Sequence, residues 1–216
     1  MVVEPLTTGR EYDAGADGFD ARFAESRATV RRFDVIDAPQ RSCARGAERV
    51  LEIGCGTGRL LSTLSGRLRV GIDVSEGLLR IAASKDLMVM RADAHRLPFA
   101  AGAFEAITAG NGVFRYLDYG RAFAECARVL RRGGRLAVHQ YARRSLGLRM
   151  RRRLAADNPL HVGDLAEVRQ AAGDAGFVED ELYLWRSVPF RPYAVRLPEP
   201  VAWRLWDHVT FVFRKA

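Results

Sequence analysis

The sequence is almost without lysine. Of its 34 basic residues only Lys85 and Lys215 are not arginine. Cysteine is scarce too: Cys43, Cys55 and Cys126 lie far apart, with no metal-type pair. No metal site is therefore expected, and a reducing compartment without structural disulfides fits. No apolar run approaches the roughly 18 residues of a membrane span. Met1-Val2-Val3-Glu4-Pro5 starts no basic-then-apolar leader. The expectation is a cytoplasmic protein with no membrane contact. Internal repeats and low-complexity tracts are absent as well.

The net charge of +8 invites a nucleic-acid partner. Yet the excess of arginine over lysine, beside much alanine and glycine, looks like the coding bias of a GC-rich genome. Solvated arginines are the simpler reading, and nucleic acid ranks behind it. At 216 residues and 48% hydrophobic content the chain suits one α/β domain with a full core.

What is present centres on residues 49–61. Val50, Leu51 and Ile53 form a short apolar run, as a buried parallel strand should. Gly54, Gly56 and Gly58 then alternate, so a ligand can lie on the backbone. A helix over 59–64 is expected to point free N–H groups at that ligand. Glu52 is a carboxylate on an apolar strand; it needs a partner, and a cationic ligand group could be one. The dinucleotide rule G-x-G-x-x-G fails, because the third glycine comes one residue early. Nineteen residues past Gly54, Asp73 ends a second apolar strand, where an acid can take both hydroxyls of a ribose.

Residues 1–18 are polar and rich in turn formers, and are expected to be flexible without a ligand. Phe19, Phe23, Val30, Phe33 and Ile36 recur at helical spacing, so one or two helices are expected up to about residue 41, with Pro39 near their end. Strands follow at 68–73, 87–91, 104–108 and 135–140. Helices are expected at 76–84, capped by Ser75, and at 119–130, stopped by Gly133-Gly134. The late part should hold a helix at 164–175, strands at 177–188 and 206–214, and a proline-rich loop at 189–200. This alternation implies a parallel sheet with right-handed crossovers, and an antiparallel pair at its edge.

The pattern E-x-G-x-G-x-G over Glu52–Gly58 resembles motif I of the class I S-adenosylmethionine-dependent methyltransferases. Asp93-Ala94, Leu97-Pro98-Phe99 and Phe104-Glu105 resemble the small-molecule, type 11-like branch of that family, with Glu105 in place of its aspartate. Leu130-Arg131-Arg132-Gly133-Gly134 resembles its Gly-Gly turn, with Arg132 in place of proline. Tyr12-Asp13 is similar to its early Tyr-Asp pair. The resemblance implies a Rossmann-like, seven-stranded, mostly parallel sheet with helices on both faces and an antiparallel edge strand. Residues 1–42 would be a helical cap and 43–216 the methyltransferase domain.

It also implies S-adenosylmethionine as cofactor. Asp73, with Val74, would hold the ribose. Asp93 would accept from the adenine amine, flanked by Ala94. Gly54, Cys55, Gly56 and Gly58 would line the methionine part and the sugar. Asn111 would meet the methionine amino end, Glu52 would also bind the cofactor, and Tyr12 would cover the site. Cys55 reads as packing rather than as a nucleophile. The reaction implied is in-line displacement, in which positioning is the main need. His139 and His161 are the candidate bases, better placed than His95 and His208. Phe114, Arg115 and Tyr116 would shape the acceptor pocket.

The chain lacks a proline-rich aromatic tetrapeptide after the fourth strand and a cysteine placed for cytosine chemistry. Both absences count against base methylation. The acceptor expected is a small molecule, methylated on oxygen or nitrogen, by a monomer or homodimer. The rivals are an RNA methyltransferase that uses Arg143, Arg144, Arg149, Arg151, Arg152 and Arg153, and a cofactor-binding scaffold without catalysis.

Overall fold

The computed structural model describes residues 5–24, 27–141, 165–185, 192–193 and 208–216. Its centre is a parallel sheet of β1 (Arg49–Ile53), β2 (Leu68–Asp73), β3 (Val89–Arg91), β4 (Phe104–Ala109) and β5 (Leu130–Tyr141). Three later strands are β6 (Phe177–Trp185), the two-residue β7 (Pro192–Tyr193) and β8 (His208–Lys215). The spatial order is β3-β2-β1-β4-β5-β8-β6-β7. Strand β8 runs antiparallel to both β5 and β6, between them. Seven principal strands are thus present, with β7 as a short addition.

The helices are α1 (Pro5–Asp13), α2 (Phe19–Ala24), α3 (Arg27–Ala44), α4 (Glu76–Ala83), α5 (Tyr119–Val129) and α6 (Leu165–Asp174). Alternate strand residues feed two apolar cores, because successive side chains point to opposite faces. Leu51, Ile53, Ile107, Leu136, Phe211 and Phe213 belong to the core that also holds Phe123 of α5 and Val168 of α6. Val50, Ala106, Ala137 and Val212 belong to the other, with Cys43 and Ala44 of α3. The small side chains on that second face let α3 lie close to the sheet.

Four details differ from the sequence expectations. The first 18 residues, expected as turns, hold α1. Close docking favours that helix: a Cβ on Gly9 would lie 2.8 Å from the Val74 carbonyl oxygen. Helix α3 continues past Pro39 to Ala44. After the glycine turn the helix expected over 59–64 is only a 3-10 turn, Leu61–Thr63. Leu64 is already extended, and β2 begins at Leu68, so the chain is too short there for a longer helix. Within the loop expected at 189–200, residues 192–193 form β7. The segment 142–164, with its arginine cluster, lies outside the described residues.

The order of strands locates the crevice. The chain moves from β1 outward to β2 and β3, then returns to place β4 on the other side of β1. A parallel sheet opens a ligand crevice at the carboxyl ends of strands where the order reverses.

Candidate functional site

A cleft lies at that point, with about 1020 Å³ of empty space. Its floor is the glycine turn after β1. Gly54 and Gly56 both have positive φ, +68° and +53°. A Cβ on Gly56 would meet nothing closer than 3.7 Å, so the backbone edge is open to a ligand. Gly58 does not line the cleft. It has φ +79°, and a Cβ there would lie 2.2 Å from Leu87 Cδ1, so it serves packing instead of ligand contact. Cys55 packs on Gly71, where a Cβ would come 2.6 Å from its Sγ. Burial pushes the Cys55 thiol well up, so it is no nucleophile.

Asp73 sits at the end of β2. Its Oδ2 accepts from the Gly56 N–H at 2.9 Å and its Oδ1 from the Ser75 N–H at 2.9 Å. Burial raises its pKa against those hydrogen bonds. Each oxygen keeps a lone pair, which is what two ribose hydroxyls require. Val74 follows on the same wall, and Ala94 and Asp93 form the next part of it. Asp93 Oδ1 accepts from the His95 backbone N–H at 2.9 Å and lies 2.8 Å from His95 Nδ1. His95 Nε2 accepts from the Asp118 N–H at 2.9 Å, which puts the ring proton on Nδ1. His95 therefore joins the end of β3 to the start of α5 as a neutral structural group.

Glu52 closes the other end. It is 3% exposed, and its Oε2 has no hydrogen-bond partner among the described residues. Burial, then repulsion from Asp37, raise its pKa well above the carboxylate range; Arg59 opposes them. Arg59 also lines the cleft. It pairs with Asp37 of α3, and its guanidinium carbon lies 4.3 Å from the centre of the Phe33 ring. The sequence reading passed over Arg59 and Asp37. The visible signal was an arginine at position 59, where a dinucleotide motif counted from Gly54 would place its third glycine.

The roof is α1. Asp13 Oδ1 accepts from Ser75 Oγ at 2.6 Å and from the Gly77 N–H at 2.8 Å. These bonds, the Ser75 one foremost, hold its carboxyl below the usual range. Thr8 and Tyr12 line the cleft from above, and Tyr12 Oη lies 2.9 Å from Tyr116 Oη on the opposite rim. Asn111, in the left-handed region at φ +50°, leads into that rim.

The three residues expected around the acceptor separate. Tyr116 lines the cleft. Arg115 lies behind it, donating to Tyr116 Oη and, at 3.5 Å, to Tyr12 Oη. Phe114 is instead a core residue at 0% exposure, with ring centres 5.0 Å from Phe123 and 6.5 Å from Tyr119. The 3-10 turn Val113–Tyr116 sends it inward. Of the expected bases, His139 is also buried rather than on the cleft wall: its ring stacks 5.4 Å from that of His208. It points to the sheet face where β8 pairs with β5. His161 lies outside the described residues. Glu105, the departure from the family pattern, accepts from the Glu48 N–H at 2.7 Å, away from the cleft. No cluster of His, Cys, Asp or Glu that could hold a metal ion occurs among the described residues, and no helix there is long and apolar enough to cross a membrane.

The cleft thus has a buried acid on either side, Asp73 and Glu52, and an open glycine edge between them. Residues 51–138 match the family model described as a methyltransferase domain. A demethylmenaquinone methyltransferase of Corynebacterium urealyticum is 35% identical over 150 residues, 64% of this chain and 61% of that protein. Another, of Mycolicibacterium vanbaalenii, is 38% identical over 100 residues, 44% and 43% of the two chains. The chain spans about half the length of the curated relatives it matches. Among solved structures, the [4+2]-cyclase SpnF superposes with a TM-score of 0.73 at 19% identity, over 99% of this chain and 97% of that one.

Proposed function

We propose that the chain is a class I S-adenosylmethionine-dependent methyltransferase that methylates an oxygen or nitrogen of a small molecule. The observation that carries the cofactor half is the pair of acids at the two ends of one open glycine turn. Asp73 takes the ribose hydroxyls on the lone pairs its backbone bonds leave over. Glu52 takes the ammonium of the methionine end. Asp93 accepts from the adenine amine, beside Ala94. When bound, S-adenosylmethionine supplies a methyl on a positive sulfur, ready for displacement. The chain's own part is to align the acceptor and keep water out. Tyr12 and Tyr116, joined over the opening, serve the second task.

The small-molecule half is supported by the relatives, whose names carry a quinone-type acceptor. Fold likeness alone does not choose a reaction, since a cyclase shares this architecture. The RNA reading rests on arginines outside the described residues, and nothing in the described fold favours it. Calorimetry with S-adenosylhomocysteine and with NADH tests the cofactor. Binding of S-adenosylhomocysteine alone is expected; binding of NADH alone would sink the proposal.

A further inference from the structure

Arg115 is a half-buried cation at the cleft rim. Among the described residues no carboxylate pairs with it, and its Nε–H is buried with no partner. Its surroundings are tyrosines. The guanidinium carbon lies 4.5 Å from the centre of the Tyr116 ring and 5.4 Å from that of Tyr141. Its Nη2 donates to Tyr116 Oη and to Tyr12 Oη. Ring faces and phenol oxygens stabilise a guanidinium in part. They hold it in its charged form against burial, with Tyr116 foremost, and the positive charge stays on the rim.

The proton count around this group is informative. Tyr12 and Tyr116 oxygens both accept from Arg115 and also bond each other. One O–H proton is spent between them, so the other hydroxyl is left to donate outward. Burial raises the Tyr116 pKa, so that phenol stays neutral and acts as a donor rather than a base. The cluster therefore carries one positive charge and one unused O–H at the cleft, while the unused Arg115 Nε–H is buried behind them. Both tyrosines line the cleft, and Tyr141 packs on Gly112 at the far side of the same rim: a Cβ on Gly112 would lie 2.5 Å from its ring. The cluster thus faces the acceptor side of the cleft, at the carboxyl ends of β4 and β5.

We propose that the acceptor is a small, flat molecule bearing an oxyanion, a carboxylate or an ionised phenol, that accepts from the outward Tyr12/Tyr116 hydroxyl with the Arg115 charge behind it. This rests on the methyl-transfer reading above. The guanidinium behind that hydroxyl favours an anion over a neutral group, and the tyrosine rings suit an apolar body. An acceptor that arrives ionised also needs no base in the cleft, where among the described residues no histidine lies.

The test is calorimetry on the full chain saturated with S-adenosylhomocysteine, with benzoate against benzamide, and with 4-nitrophenol on either side of its own ionisation. Benzoate should bind at least about tenfold better than benzamide, the worth of a charge-assisted hydrogen bond. Preference for benzoate identifies a carboxylate as the anion; preference for ionised 4-nitrophenol alone identifies a phenolate. Arg115→Gln should remove the preference. Arg115→Lys keeps the charge and loses the fork, and should retain part of it, which covers a failure of the glutamine variant to fold. A wild type that binds no S-adenosylhomocysteine overturns the methyl-transfer reading. A wild type that binds it, yet takes neither anion better than its neutral counterpart, overturns the oxyanion site. So does a preference that survives both Arg115 variants.

Discussion

Glu52→Gln should make the protein more stable and worse at binding its cofactor. The side chain is 3% exposed, and its Oε2 has no hydrogen-bond partner among the described residues. Its pKa is raised, by burial first and by Asp37 next. A carboxyl whose folded pKa lies above its unfolded value of 4.5 contributes most stability below that unfolded value. The contribution is lost as pH rises through the folded pKa. At pH 8 the wild type must therefore either keep a proton on Glu52 or carry a buried, poorly paired charge. Glutamine removes the charge at nearly the same volume.

An unsatisfied buried polar group costs about 1–3 kcal/mol, and more if charged. A domain of this size shifts about 2–4 °C in Tm for each kcal/mol. Glu52→Gln should thus raise the Tm of the ligand-free protein by several degrees at pH 8, and by little at pH 4, where the wild type is protonated too. The cofactor effect has the opposite sign. Losing a charge-assisted bond to the ammonium should weaken S-adenosylhomocysteine by roughly 1.5–3 kcal/mol, about 10- to 150-fold. Wild-type binding should also release a proton near the folded pKa, which calorimetry in buffers of different ionisation heat reads directly. A variant with lower Tm at pH 8 and unchanged affinity would refute the reasoning on both counts.

Asp73→Ala should cost roughly 1.5–3 kcal/mol of S-adenosylhomocysteine affinity by calorimetry; unchanged affinity would put the ribose elsewhere. Gly58→Ala should destabilise by about 1–2 kcal/mol, the left-handed penalty of an L side chain. Thermal melts should show that loss while calorimetry shows the affinity within a few-fold. Asp13→Asn should loosen α1, seen as faster amide exchange over residues 5–13. Because the Asp13 pKa is lowered, its anchor holds above the unfolded value of 3.8 and fails as pH falls through the folded one. The wild type should show the same loosening in acid, and equal exchange in both proteins would refute the anchor.

The sheet was legible because its strands are apolar runs bounded by glycine and acid, which is a local signal. Val50–Ile53 and Leu68–Asp73 carry their ends in their own residues. What escaped depended on distant partners. Helix α1 exists against a turn-rich sequence because Gly9 fits on Val74 and Asp13 bonds Ser75 and Gly77. Helix α3 runs through Pro39 because the face it covers is lined by Ala106 and Ala137. At the site, residues tied to the backbone of a motif were readable, as with Asp73. Side-chain direction was not. Phe114 and Tyr116 are two residues apart, yet a 3-10 turn sends one into the core and the other to the cleft. His139 sits on a strand whose two faces are both buried, so position along the chain said nothing of access.

The charges of the cleft divide by end, and the division bears on the reaction. Around the floor stand Glu52, Asp37 and Asp73, with Arg59 as their counter-ion. At the rim stands Arg115 among tyrosines, of which Tyr116 is kept neutral by burial. A methyl donor is cationic at both its ammonium and its sulfur, and the acid-rich floor suits it. Once it is bound, the same positive sulfur and Arg115 together make the acceptor side attractive to an anion and hostile to a cation. That order has a kinetic consequence. An anionic acceptor should bind more tightly to the protein loaded with S-adenosylmethionine than to the protein loaded with S-adenosylhomocysteine, whose sulfur is neutral. Neutral acceptors should show no such difference. Inhibition constants for benzoate measured against each loaded form, at 50 and 300 mM salt, would decide it. Equal constants at low salt would mean that the sulfur charge is screened from the acceptor, and that Arg115 alone selects it.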